Sequence, residues 1–156
     1  FYKRFKKQKN IQYTTTDLFS PLADVKADIC NLPFEENQYD VLFCNHVLEH
    51  IPDDTKAMKE LYRVCEKGGY VVMKCQDTVS GGKNHFTHCL IMNMAMDIGF
   101  YPRDLFVLNS NVRLNSFGTK WTKQEHARKY HSYFWVFEKV KPRVKYQFMN
   151  IVNNLV

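Results

Sequence analysis

His46, Glu49 and His50 stand together just after the apolar run Val41-Leu42-Phe43-Cys44. Imidazole and carboxylate groups can take a proton from a nucleophile near neutral pH, so one of the three could serve as a general base. The same residues could equally cap a helix or hydrogen-bond locally. Cys44, His46 and His50 match no common zinc spacing. A second set, Cys75, His85, His88 and Cys89, places His85 and Cys89 four apart, on one face if the segment is helical. The apolar context of Cys89 favours a structural role, and no metal is expected. Farther along, Arg113, Lys120, Lys123, Arg128 and Lys129 are interleaved with Phe117, Trp121 and Tyr130. Cations and rings in that mixture could hold nucleic acid, and a basic loop with inward-packed rings is the other reading.

Something must position these groups. The chain has 156 residues, 45% of them hydrophobic, which suits one domain with one core and is too apolar for disorder. No apolar run reaches the ~20 residues that span a bilayer, so no membrane association is expected. The basic start FYKRFKKQKN has no apolar stretch after it, which argues against a signal peptide. Cys30, Cys44, Cys65, Cys75 and Cys89 form no CxxC pair and read as free thiols of a cytoplasmic protein. Residues 1–73 carry 10 Lys and Arg against 11 Asp and Glu, whereas residues 74–156 carry 12 against 5. The positive charge therefore sits in the second half.

Periodicity supplies the elements. Residues 1–10 read as the end of an amphipathic helix, and Ile11–Thr16 as a strand ending at Asp17. Val25–Ile29 suits a short second strand, and Val41–Cys44 a parallel strand covered on both faces. Pro52-Asp53-Asp54 opens a helix whose apolar positions are Ala57, Met58, Leu61, Tyr62 and Cys65, with Lys67-Gly68-Gly69 as its end. Tyr70–Met73 is a strand, Thr78–Asn84 a flexible loop, and His85–Ile98 a helix stopped by Gly99. Leu105–Leu108 and Tyr133–Val140 complete the strands, with a polar, basic loop from Asn109 to Gln124 between them. This alternation argues for parallel βαβ units in a doubly wound sheet, with ligands at the carboxyl ends of the strands.

Three segments in order carry a resemblance. Asp28-Ile29-Cys30-Asn31-Leu32-Pro33-Phe34 resembles a D-x-x-x-LPF loop. Tyr39 to His50 resembles the strand and turn that follow it. Glu60-Leu61-Tyr62-Arg63-Val64 with Lys67-Gly68-Gly69-Tyr70 resembles an E-x-x-RVLKPGG helix end. Together they resemble class I S-adenosylmethionine-dependent methyltransferases. The resemblance implies a Rossmann-like α/β fold, a mostly parallel doubly wound sheet with an antiparallel last strand, and S-adenosylmethionine as cofactor. Asp17 matches the acid that binds the ribose hydroxyls, and Asp28 the acid that pairs with the adenine amino group. Ile29 would offer its N–H to an adenine ring nitrogen, and Cys44 and Asn45 would line the floor beneath the methionine part. On the residues alone, Asp17 and Asp28 could also be turn or cap residues.

Two departures go with the resemblance. The family's first strand and Gly-rich loop are not in the sequence, so the domain is expected to be truncated at its N-terminal end, with a gap between the family's second and fourth strands. The stretch from Asp17 to Val25 is also shorter than a helical crossover, which usually takes a dozen residues or more, so a loop is expected in place of a helix.

The second half differs in character. Met73 to Asp77, the Gly81-Gly82 loop and the segment His126 to Phe137 are similar to a group of DNA-methylase-like proteins. Their Asp-Pro-Pro-Tyr signature is replaced here by Cys44-Asn45-His46-Val47.

The expectation is a methyltransferase domain over residues 1–140 and a tail over 141–156. Its activity is S-adenosylmethionine-dependent methyl transfer to a small molecule or a nucleic acid. An inactive methyltransferase-like binding module and a nucleic-acid-binding domain are the alternatives.

Overall fold

The computed structural model describes residues 10–109 and 130–140. Residues 1–9 of the helix expected over residues 1–10, the basic aromatic stretch from Arg113 to Lys129, and the tail lie outside the described residues.

Thr16–Asp17 (β1) and Val25–Lys26 (β2) pair in parallel, with Asp17 opposite Lys26. Residues 18–24 connect them as bends and turns, so a loop stands where a crossover helix was in doubt. A side-chain staple makes this short connection possible. Asp24 Oδ2 accepts from the Thr15 backbone N–H at 2.8 Å and from its hydroxyl at 2.6 Å, and the Asp24 N–H donates back to Thr15 Oγ1 at 2.9 Å. Both strands are shorter than the expected Ile11–Thr16 and Val25–Ile29.

Tyr39–Asn45 (β3) leads through a 3₁₀ turn at Leu48–His50 to helix α1, Asp54–Val64. Asp53 caps α1 by accepting from the Lys56 N–H at 2.8 Å. β4 spans Cys65–Cys75, β5 Thr78–Ser80, β6 Lys83–His85, α2 Thr87–Ile98, β7 Phe100–Asn109 and β8 His131–Lys139. One sheet has the order β3-β4-β8-β7, with β3 and β4 parallel and both contacts of β8 antiparallel. The antiparallel relation of the last two strands agrees with the sequence. The β1–β2 pair forms a sheet of its own. The strand that the resemblance puts between it and β3 is not among the described residues.

Two local expectations need correction. Helix α1 ends at Val64, before the glycines, because Cys65 turns extended and pairs with Tyr39. The glycines then serve the strand. Gly68 has φ +88°, and a Cβ on Gly69 would stand 2.7 Å from the Asp40 carbonyl oxygen. Residues 78–85 form a hairpin rather than a flexible loop. Gly81 and Gly82 both have positive φ, 58° and 69°, as a two-residue hairpin turn requires.

The core lies between the sheet and its two helices. Val71, Met73 and Cys75 alternate along β4 to face Met58, Leu61 and Val64 of α1 and Ile91 and Ala95 of α2. Phe100, Trp135 and Phe137 extend it. Gly99 closes α2 at φ +117°, its N–H donating to the carbonyls of Ala95 and Met96. A side chain there is strained, and its Cβ would also approach the Tyr62 hydroxyl to 3.3 Å. Gly99→Ala is expected to cost about 1–3 kcal/mol, read as a lower urea midpoint at unchanged slope.

Candidate active site

The carboxyl ends of β1, β2, β3 and β4 carry the candidate residues. At the end of β1, Asp17 Oδ1 accepts from the backbone N–H groups of Phe19 at 2.8 Å and Ser20 at 2.7 Å. The Ser20 bond, then the Phe19 bond, holds this carboxyl below its usual range. Asp17 therefore stays ionised in mild acid. Just beyond β2, Asp28 Oδ1 accepts from the Cys30 N–H at 2.8 Å, and its carbonyl oxygen from the Asn31 N–H at 2.9 Å. Both acids thus are turn residues, the reading the sequence left open beside a ligand role. Each spends one carboxylate oxygen on its own turn, which leaves a second oxygen to accept from a ligand. Both are exposed, and the half-buried Ile29 packs against the core.

The next segment holds these turns in place. Arg63 Nη1 donates to the Phe34 carbonyl at 2.8 Å, and Nη2 to the Leu32 carbonyl at 2.9 Å. Glu60 Oε2 accepts from the Leu32 N–H at 3.0 Å and from Arg63 Nη2 at 2.8 Å, and Oε1 from Arg63 Nε at 2.9 Å. The Arg63 guanidinium thereby lowers the Glu60 carboxyl. The E-x-x-R and LPF segments are thus two halves of one clamp, a role that reading them as motifs missed.

After β3 the chain turns sharply, with His46 at φ +53°. This brings His46, Glu49 and His50 together. Glu49 Oε1 is 3.3 Å from His46 Nδ1 and 3.6 Å from His50 Nε2, and all three side chains are exposed. Cys44 is buried, and burial pushes its thiol up to about 12, so it is a neutral wall. Asn45 is exposed beside it. Cys44, Glu49, Met73, Cys75, Thr87 and Leu90 line a cleft of about 110 Å³ between the strand ends and α2. That is below the ~300–1,000 Å³ of whole-ligand pockets, so it has room for one end of a ligand. Asp17 and Asp28 do not line it. Among the described residues, no three His, Cys, Asp or Glu side chains converge on a metal site.

The carboxylates fit the adenosine portion of S-adenosylmethionine in kind and place. They are acceptors at the carboxyl ends of neighbouring parallel strands, where vicinal hydroxyls and an amino group need acceptors. Cys44 and the cleft beside it fit an uncharged, narrow end of the same molecule.

Comparisons with known proteins bear on this arrangement. Residues 3–73 match the family described as methyltransferase domain. An uncharacterised methyltransferase of Schizosaccharomyces pombe is 35% identical over 100 residues, which is 64% of this chain and 31% of that protein. The chain spans about a third or less of the length of the curated relatives it matches. A Bacillus halodurans crystal structure assigned as a methyltransferase superimposes with TM-score 0.54 at 16% identity, covering 74% of this chain and 76% of that one. A Thermus thermophilus structure assigned as a DNA modification methylase, complexed with S-adenosyl-L-methionine, gives TM-score 0.52 at 16% identity, covering 74% and 53%. Residues 3–73 are therefore similar to the methyltransferase domain family, and the described residues share the Rossmann-like fold of these solved structures. No helix among the described residues is long and apolar enough to cross a membrane.

Proposed function

We propose that this protein transfers the methyl group of S-adenosylmethionine to an acceptor. The observation that carries this reading is the pair Asp17 and Asp28, set at the carboxyl ends of two parallel strands and followed by the clamped Leu32-Pro33-Phe34 loop. Asp17 accepts from the ribose hydroxyls and Asp28 from the adenine amino group, with the Ile29 N–H toward the ring. Cys44 and Asn45 border the methionine end. The cofactor supplies an activated sulfonium methyl, so the chain's own task is to hold donor and acceptor in line. His46, Glu49 and His50 border the place where an acceptor would enter, and any of them could take its proton. Small molecules and nucleic acid both stay open as acceptors. Five free cysteines support a reducing compartment, and the cytoplasm is the proposed location.

Calorimetric titration of the chain with S-adenosylhomocysteine tests the reading, with saturable heat and protection against thermal unfolding as the expected result. Asp17→Ala should weaken binding by about ten- to a hundredfold, the worth of charge-assisted hydrogen bonds to two hydroxyls. The absence of both heat and protection in the wild-type chain removes the enzyme reading and leaves a methyltransferase-like binding module.

A further inference from the structure

One cluster of titratable side chains is not used by the methyl-transfer reading. Asp77 lies just beyond β4, and His88 and Cys89 lie in the first turn of α2. The Asp77 side chain is 3% exposed, with Oδ1 2.7 Å from His88 Nδ1. The same oxygen accepts from the His88 backbone N–H at 3.3 Å. The His88 ring stacks on Tyr133 at 4.0 Å and 16°, and Trp135 Nε1 donates to the His88 carbonyl at 2.9 Å. Ring and backbone are therefore both fixed. A carboxylate that takes the Nδ1–H leaves Nε2 with its lone pair, and Nε2 is 3.3 Å from Cys89 Sγ. Cys89 is exposed. The order is orienting carboxylate, base, accessible nucleophile.

We propose that Asp77, His88 and Cys89 form a nucleophilic thiol site that reacts with soft carbon electrophiles. The Cys89 thiol proton passes to His88 Nε2. The sulfur electron pair forms the S–C bond, and the leaving group departs with its own pair. The resulting imidazolium faces the Asp77 carboxylate. The other titratable groups facing the cluster are Cys75 from β4 and Tyr133 and His131 from β8, with His131 Nε2 2.8 Å from the Tyr133 hydroxyl. Competing thiols are subdued. Burial pushes Cys75 and Cys44 up to about 12 and Cys65 up to about 11. Half-buried Cys30 serves as the internal reference, raised by burial and then by Asp28 and Asp53.

The test is the rate of iodoacetamide alkylation at pH 7, resolved for each cysteine by peptide mass, with iodide as the leaving group. Cys89 should react about tenfold faster than Cys30, because Cys89 has His88 Nε2 at 3.3 Å to take its proton, whereas burial raises the Cys30 thiol. His88→Gln and Asp77→Asn should each slow Cys89 about fivefold or more, with the Cys30 rate unchanged. Equal wild-type rates at Cys89 and Cys30 overturn the proposal. So does an unchanged Cys89 rate in a folded His88→Gln or Asp77→Asn chain. Should either variant fail to fold by circular dichroism, the other decides, and the wild-type ratio stands independently of both.

Discussion

Arg63→Ala is expected to lower stability by about 2–4 kcal/mol and to weaken S-adenosylhomocysteine binding about tenfold. The substitution removes the donor that two backbone carbonyls, Leu32 and Phe34, share, and it strips Glu60 of its charge partner. Glu60 is partly buried, 19% exposed, and would keep only the Leu32 N–H. An unpaired, half-desolvated carboxylate costs more than a lost surface ion pair. The effect on binding comes through the chain between Asp28 and Leu32, because the clamp fixes one end of the turn that presents Asp28. The same clamp sets a pH dependence. The folded state lowers the Glu60 carboxyl, mainly through its hydrogen bonds with Arg63. The folded state thus binds this proton less readily than the unfolded chain. The stability this provides is present above the ordinary glutamate range and is lost as pH falls through the lowered folded value. Urea midpoints measured from pH 7 down to pH 3 should therefore fall more for the wild type than for Glu60→Gln.

How much of this was legible depends on the distance over which residues act. Asp17 and Asp28 could be picked out because each ends a β-branched or apolar segment, and strand ends are where this sheet type binds ligands. Their use as turn residues was also legible, since an Asp two or three residues before free N–H groups makes a turn wherever it stands. Gly81-Gly82 looked like slack, but two successive glycines are also what a hairpin turn with positive φ at both positions needs. That misreading hid the thiol site. The β5–β6 hairpin pairs Thr78 with His85, and so returns the chain from Asp77 to the start of α2. Asp77 and His88 are 11 residues apart and belong to no shared helix or strand period, so spacing gave no sign of them. The structural role expected for Cys89 rested on its apolar neighbours in sequence, of which Ile91 is buried but Leu90, like Cys89 itself, is exposed. The end of α1 was misplaced because the pairing of Cys65 with Tyr39 outweighed the glycine stop signal three residues farther on.

Lys139 was invisible to local pattern, and its replacement should be as damaging as any core truncation. It closes β8 with 4% exposure, yet its Nζ donates to the Tyr62 carbonyl at 2.7 Å, the Cys65 carbonyl at 2.9 Å and Asn37 Oδ1 at 2.9 Å. The ammonium also lies over the Tyr62 ring, 4.5 Å from its centre. Burial pushes this lysine below its usual range, so the charge is held at a cost that the three acceptors offset. Two of them are carbonyls at the end of α1, where no intrahelical donor remains. Lys139→Met keeps the length of the side chain and relieves the buried charge, but it leaves the acceptors without that donor. A net loss of about 2–4 kcal/mol is expected, since each orphaned buried acceptor costs about 1–3 kcal/mol and the relieved desolvation returns part of it. The residue sits at the amino ends of β3 and β4, away from the ends that carry Asn45 and Cys75. Lys139→Met should therefore lower the urea midpoint while the S-adenosylhomocysteine affinity of the folded fraction stays within about twofold of wild type. Arg63→Ala should move both, and that contrast separates a residue that holds the fold from one that holds the fold and the ligand turn together.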